Sequence, residues 1–152
     1  MSSVDSLKND TSKIYKSSKG KRLYAAGGIS PDYFVPADTS KISLTVAKIY
    51  SRSTLADFGY KYYKEHQQEF QSYKNAISFV NAYSIGDNQW KFFEQIAQKD
   101  SIVLTDINPK EKTAIEKILK SSLARQLYRT EGYFESINKD DSFIKKALEV
   151  IK

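Results

Sequence analysis

The spacing of apolar side chains changes once along this sequence, close to residue 37. Before that point they come in short β-prone runs. Ile14-Tyr15-Lys16 and Arg22-Leu23-Tyr24 flank Ser17-Ser18-Lys19-Gly20-Lys21, a length and composition that predict a hairpin. Ala25-Ala26-Gly27-Gly28 then removes side-chain bulk and permits positive φ or the close approach of another chain. Pro31 biases Ser30 away from helix, and Tyr33-Phe34-Val35 reads as a further strand until Pro36 ends it. Residues 1–12 are polar, follow neither period, and read as a flexible leader.

From Asp38-Thr39-Ser40 onward the period is about 3.6. One of these three residues is expected to cap a helix bearing Leu44, Ala47 and Tyr50. A break near Ser51-Arg52-Ser53 precedes a stripe of Leu55, Phe58 and Tyr62. Residues 73–83 predict a short helix, apolar at Ile77, Val80 and Tyr83. Asp87 is expected to cap a helix carrying Trp90, Phe93, Ile96 and Ala97 that ends near Asp100. The clearest start is Asn108-Pro109-Lys110-Glu111, because Asn caps, Pro suits the first helical position, and Glu three residues on reaches back to the free amide. Ile115, Ile118, Leu119, Leu123, Leu127 and Tyr128 continue that face, with an expected stop near Gly132. Asp140 or Asp141 caps a last helix that turns Phe143, Ala147, Leu148 and Ile151 toward its neighbours. The pattern therefore predicts a mainly α chain: flexible leader 1–12, strand segment 13–36, and a small helical domain 37–152.

Composition adds rings and removes chemistry. Eleven Tyr, eight Phe and one Trp mean that much of the burial comes from aromatics, with many hydroxyls at a wet edge. With no Cys, disulfides, thiolate nucleophiles and Cys-ligated metal are excluded. No apolar run reaches the roughly 18–20 residues that span a bilayer. The net charge of +6 is spread thinly, with 6 basic and 3 acidic residues in 1–36, 8 and 8 in 37–108, and 10 and 7 in 109–152. Its densest point, Lys19, Lys21 and Arg22 around Gly20, reads first as a solvated turn, so specific nucleic-acid binding is not expected.

No residue stands out as catalytic, cofactor-binding or metal-binding. The only His, His66, lies in the polar run Lys64-Glu65-His66-Gln67-Gln68-Glu69 and reads as an exposed helical side chain; no GxSxG elbow occurs. The adjacent carboxylates Asp140-Asp141 read as a helix cap rather than an acid–base pair. Gly27-Gly28 lacks the Gly-Lys-Ser/Thr signature of a phosphate loop and runs into Pro31.

One block says more than periodicity does. The run Tyr15-Lys16-Ser17-Ser18-Lys19-Gly20-Lys21-Arg22-Leu23-Tyr24-Ala25-Ala26-Gly27-Gly28-Ile29-Ser30-Pro31-Asp32-Tyr33-Phe34-Val35-Pro36 resembles the end of the catalytic core of C-terminal-processing (tail-specific) serine peptidases, in a form common among Bacteroides-like bacteria. There a strand, a Ser-Lys-Gly-Arg-like turn and a second strand lead into Gly-Gly-Gly-Ile-x-Pro-Asp. Here Ala26 stands at the first Gly, and Lys21-Arg22 at the Gly-Arg turn. Ile118-Leu119-Lys120-Ser121-Ser122-Leu123-Ala124-Arg125 is similar to the family's Leu-Lys-Ala-x-Ile-Ala-Arg helix, and Gly132-Tyr133-Phe134 through Lys146-Ala147-Leu148 to its closing segment.

The resemblance implies a parent enzyme of the periplasm or cell envelope that cleaves proteins near their C-termini with a Ser nucleophile and a Lys base, guided by a PDZ domain. All three parts lie upstream of the matched block, so none of their residues carries over. The expected function is a non-catalytic C-terminal region with a structural, assembly or regulatory role and no peptidase activity alone. Its partners would be the catalytic and PDZ regions, the parent's protein substrates, and a second copy through residues 13–36. The rival readings are a freestanding helical interaction module whose hairpin recruits a partner strand, and a basic nucleic-acid binder.

Overall fold

The structure is a computed structural model that describes residues 14–18, 20, 22–24, 33–36 and 43–151. The leader, the stretch 25–32 and the expected caps at Asp38, Thr39 and Ser40 lie outside the described residues. The chain divides into two units, Met1–Pro36 and Ala37–Lys152.

In the first unit β1 (Ile14–Lys16) pairs antiparallel with β2 (Arg22–Tyr24), setting Ile14 opposite Tyr24 and Lys16 opposite Arg22. Gly20 closes the turn by donating its amide to the Ser17 carbonyl at 2.8 Å. Its φ of 78° lies where an L side chain is penalised, so glycine suits this point. The third expected strand is not formed: 33–36 carries no strand, and Tyr33 and Phe34 are exposed. A β-prone triplet has no reason to hold a strand geometry without a ladder to join.

The second unit is helical, in the order α1 (Leu44–Ser51), α2 (Thr54–Glu65), a 3-10 turn (Gln67–Phe70), α3 (Ala76–Ala82), α4 (Asp87–Lys99), α5 (Pro109–Asn138) and α6 (Ser142–Val150). Among the described residues no helix is long and apolar enough to cross a membrane. The chain is mainly α, a small helical domain preceded by a short hairpin. Its core forms where α5 packs on α2 and α3 and where α4 packs on α2. Phe58, Phe79, Phe93, Ile49, Ile115, Leu119 and Leu123 are the large side chains fully withdrawn there.

Caps set the register of each helix, and several differ from the sequence expectation. Ser43 caps α1 by accepting the Val46 amide at 3.3 Å. Val46 and Ile49 face the core, whereas Leu44, Ala47 and Tyr50 are exposed. In α3 the buried side is Ala76, Phe79 and Val80, with Ile77 outside. Gly86, not Asp87, is the N-cap of α4, and Gln89 reaches back to accept its amide at 3.0 Å.

The other end of α4 is closed by a Schellman turn. Ser101 donates to the Gln98 carbonyl at 3.0 Å and Ile102 to the Ala97 carbonyl at 2.9 Å, which drives Ile102 into the core beside Ala97. The turn requires Ser101 to hold a φ of 56°, the left-handed region that favours glycine. Ser101→Gly should therefore raise stability by up to about 1 kcal/mol, read as a higher urea midpoint at unchanged slope. An unchanged or lower midpoint would show that the Ser101 side chain contributes more than its backbone costs.

The start of α5 is the capping box read from the sequence: Asn108 accepts the Glu111 amide at 2.9 Å, and Glu111 accepts the Asn108 amide at 3.2 Å. Its expected stop at Gly132 is replaced by a sharp break at Tyr128 (φ −123°, ψ 16°) and Arg129 (φ 55°, ψ −136°), beyond which helix resumes to Asn138. Gly132 is instead a point of close approach, where an added Cβ would lie 2.8 Å from the Ala124 carbonyl carbon and nearer still to its oxygen. The chain thus doubles back against its own preceding turn, and only a residue without a side chain allows it.

Asp141 caps α6, accepting the Phe143 and Ile144 amides at 2.7 and 2.9 Å. The apolar side of α6 does not pack as expected, for no residue of this helix is buried. Phe143 is 52% exposed, Leu148 61% and Ile151 81%.

Candidate functional site

The best-developed polar cluster is centred on Glu69, in the 3-10 turn after α2. Its carboxylate accepts the Tyr62 hydroxyl at 2.8 Å on Oε2, and the Tyr83 hydroxyl and Gln89 Nε2 at 2.9 Å each on Oε1. Gln89 Nε2 also donates to the Tyr62 oxygen at 2.9 Å. Four elements supply these groups: the last turn of α2, the 3-10 turn, the residue after α3 and the first turn of α4. The capping role of Gln89 places its amide, and the period of α2 places Tyr62 one turn beyond Phe58.

Both phenols are withdrawn from water, and burial followed by their bonds to Glu69 pushes Tyr62 up to about 12 and Tyr83 higher still. At neutral pH they are fixed, neutral donors holding a carboxylate, an arrangement that locks the chain and makes a poor proton shuttle. Sequence composition suggested half-wet tyrosines; a carboxylate as acceptor is what lets these two hydroxyls be buried.

His66 sits beside this cluster at the end of α2, half-buried rather than exposed. Its ring stacks on Tyr62 at 4.1 Å and 11°, with the edge of Phe92 at 5.8 Å. Nδ1 lies 3.0 Å from the Tyr62 carbonyl, which can only accept, so Nδ1 carries a proton. Among the described residues no hydroxyl bonds the ring. Ser121 and Ser122, which follow Lys120 in sequence, donate to the Ile118 and Leu55 carbonyls at 2.8 and 2.7 Å rather than to an amine. Asp141 is a cap, and Asp140 is ion-paired with Lys117 and Lys145 at 3.1 and 3.3 Å. No group of three or more His, Cys, Asp or Glu among the described residues is placed to hold a metal. Lys19, Lys21 and the side chain of Arg22 lie outside the described residues.

The phenols carry a pH signature. Below about pH 10, the ordinary tyrosine value, both folded and unfolded chains keep these protons and the contribution to stability is whole. Between about pH 10 and about 12 the unfolded chain ionises while the folded chain holds its phenol at Tyr62 neutral, so stability falls as pH rises. Urea unfolding at pH 9 and pH 11 should show that loss. Tyr83→Phe should be less stable at pH 9 but have a flatter pH dependence; equal slopes in the two proteins would assign the loss to other groups.

A model of a family of unknown function (DUF8443) matches residues 45–129. This chain belongs to that family. The DUF8443 match runs from α1 to the break at Arg129, so it takes in the aromatic core and the whole Glu69 cluster, while the hairpin and α6 fall outside it. Neither the curated proteins nor the solved structures contain a significant match.

Proposed function

We propose that this DUF8443 chain is a non-catalytic helical assembly module of a C-terminal-processing serine peptidase of the periplasm or cell envelope. The observation that carries this reading is the disposition of its surfaces. The best-developed polar cluster, on Glu69, is satisfied within the fold, whereas apolar side chains at both ends of the described chain remain in water. Ile14 and Tyr15 in β1 are 50% and 58% exposed, and α6 buries none of its apolar side. A two-stranded ribbon is marginal by itself, and uncovered apolar faces mark surfaces that another polypeptide covers. The resemblance of residues 15–36 to the last strands of a peptidase core supplies the kind of partner: neighbouring strands of that core.

The test is co-expression of this chain with a segment encoded upstream that carries the Ser–Lys and PDZ regions. Purified alone, the chain should leave casein intact; with the upstream segment, casein should be degraded. Casein cleavage by the chain alone, abolished by serine-directed labelling, would overturn the non-catalytic reading. Absence of any such upstream segment would leave the freestanding interaction module. Sedimentation of the full chain beside a version starting at Ala37 separates a homodimer through 13–36, which the shorter form would lose, from monomers.

A further inference from the structure

We propose that the cleft between the end of α3 and the two arms of α5 binds a single carboxylate carried on an apolar body. The cleft encloses about 430 Å³ and is walled by Tyr50, Val80, Ile118 and Ile137. Lys117, Lys120 and Lys139 enter it from α5 and the residue that follows it.

The lysines are placed in a way that capping alone does not explain. Val80 lies in the last turn of α3, so its carbonyl has no helical amide to accept and a cation there is favourable. Lys120 Nζ donates to it at 2.7 Å. A second ammonium, Lys139 Nζ, approaches the same oxygen at 3.4 Å and also donates to Asn81 Oδ1 at 2.8 Å. Two like charges on one neutral acceptor repel each other. Burial, followed by the charge of Lys139, holds Lys120 below the ordinary lysine value, with Asp140 acting the other way. Asp140 is the acidic residue of the lining, and it is already shared by Lys117 at 3.1 Å and Lys145 at 3.3 Å. The cleft thus holds more positive charge than its own groups neutralise, and an anion bridging Lys120 and Lys139 removes their repulsion.

The surroundings select the kind of anion. The Val80 carbonyl at the end of α3 and the Asn81 side-chain oxygen already face these ammonium groups, and would oppose the several charged oxygens of a phosphate. One carboxylate can bridge the two amines while its apolar body covers Val80, Ile118 and Ile137. Two sources share this chemistry: the free C-terminus of an apolar polypeptide tail, and a fatty acid.

The experiment is titration calorimetry of the full chain, with amide chemical shifts as a map. Its probes are the tripeptide acetyl-Leu-Ala-Val as free acid and as C-terminal amide, octanoate with octanamide, and inorganic phosphate. At least one acid should bind and move the amides of 117–121 and 136–140, with its own amide about tenfold weaker or worse and phosphate weaker than the acid. The acid that binds more tightly names the source. Lys139→Met should weaken it by about tenfold. Lys139 is exposed, so this variant keeps the question decidable if Lys120→Met fails to fold. Failure of both acids to bind, equal binding of acid and amide, or an unchanged Lys139→Met would overturn the proposal. None of these results bears on the peptidase reading, because the binding is measured on this chain alone.

Discussion

Replacing Phe79 by alanine should cost the helical domain about 3–5 kcal/mol, a large part of the roughly 5–15 kcal/mol that a domain of this kind possesses. Its ring is fully buried and stacks on Tyr83 at 4.7 Å, with Tyr73 edge-on at 5.3 Å and Phe70 and Tyr128 at 6.2 and 6.1 Å. Those neighbours come from the 3-10 turn, the loop before α3, the residue after it and the break in α5. Two of them are anchored by their hydroxyls: Tyr83 on Glu69, and Tyr128 on the Tyr73 carbonyl at 2.9 Å. They cannot all collapse into the space a phenyl ring leaves, so the cavity term adds to the lost transfer energy. Urea unfolding followed by tryptophan fluorescence measures the loss, with Tyr60→Ala as a control. Tyr60 is 54% exposed and its replacement should stay within about 0.5 kcal/mol. A Phe79→Ala protein within about 1 kcal/mol of the wild type would mean that this core is far more compliant than its ring geometry implies.

Gly132→Ala should destabilise by about 2–3 kcal/mol, and here the sign is the test. In an ordinary helix interior the same change stabilises by roughly 0.5–1 kcal/mol, because alanine loses less backbone freedom. At this site the new methyl would meet the Ala124 carbonyl and the Tyr128 Cβ, the latter at 2.8 Å. A backbone carbonyl cannot rotate away as a side chain can, so the second arm of α5 must lift off the first. Near-ultraviolet circular dichroism should report the disturbed packing of Tyr128, and denaturant unfolding the energy. A gain in stability would show that the break at Arg129 is not held closed by this contact.

The two sites differ in how far the sequence reveals them. Phe79 lies in a segment whose helical period is plain, yet of the face assigned from Ile77, Val80 and Tyr83 only the last two are buried, together with Ala76 and Phe79. In a seven-residue helix two or three apolar positions fit several stripes, and neighbours decide among them. The same ambiguity displaced α1, where Val46 and Ile49, rather than Leu44, Ala47 and Tyr50, point inward. Glu69 was legible only as one member of a polar run. Its acceptor role depends on Tyr62, Tyr83 and Gln89 arriving from three other elements, and those separations of 7, 14 and 20 residues carry no local signal. Lys120 and Lys139 meet at Val80 across 40 and 59 residues, which equally few patterns announce.

Local chemistry determined what is local. The hairpin around Gly20, the capping box at Asn108-Pro109-Lys110-Glu111 and the Asp141 cap follow from backbone groups and side chains within a few residues of one another. So does the change of period that makes the chain mainly α. Tertiary structure decided the rest, for a reason common to each case. Gly132 reads as a helix stop because glycine is helix-poor; that it marks a close approach depends on where Ala124 has been carried by the preceding turns. The amphipathic period of α6 foretold an apolar side, but whether that side is buried depends on what the rest of the fold brings against it, and none of its residues is buried.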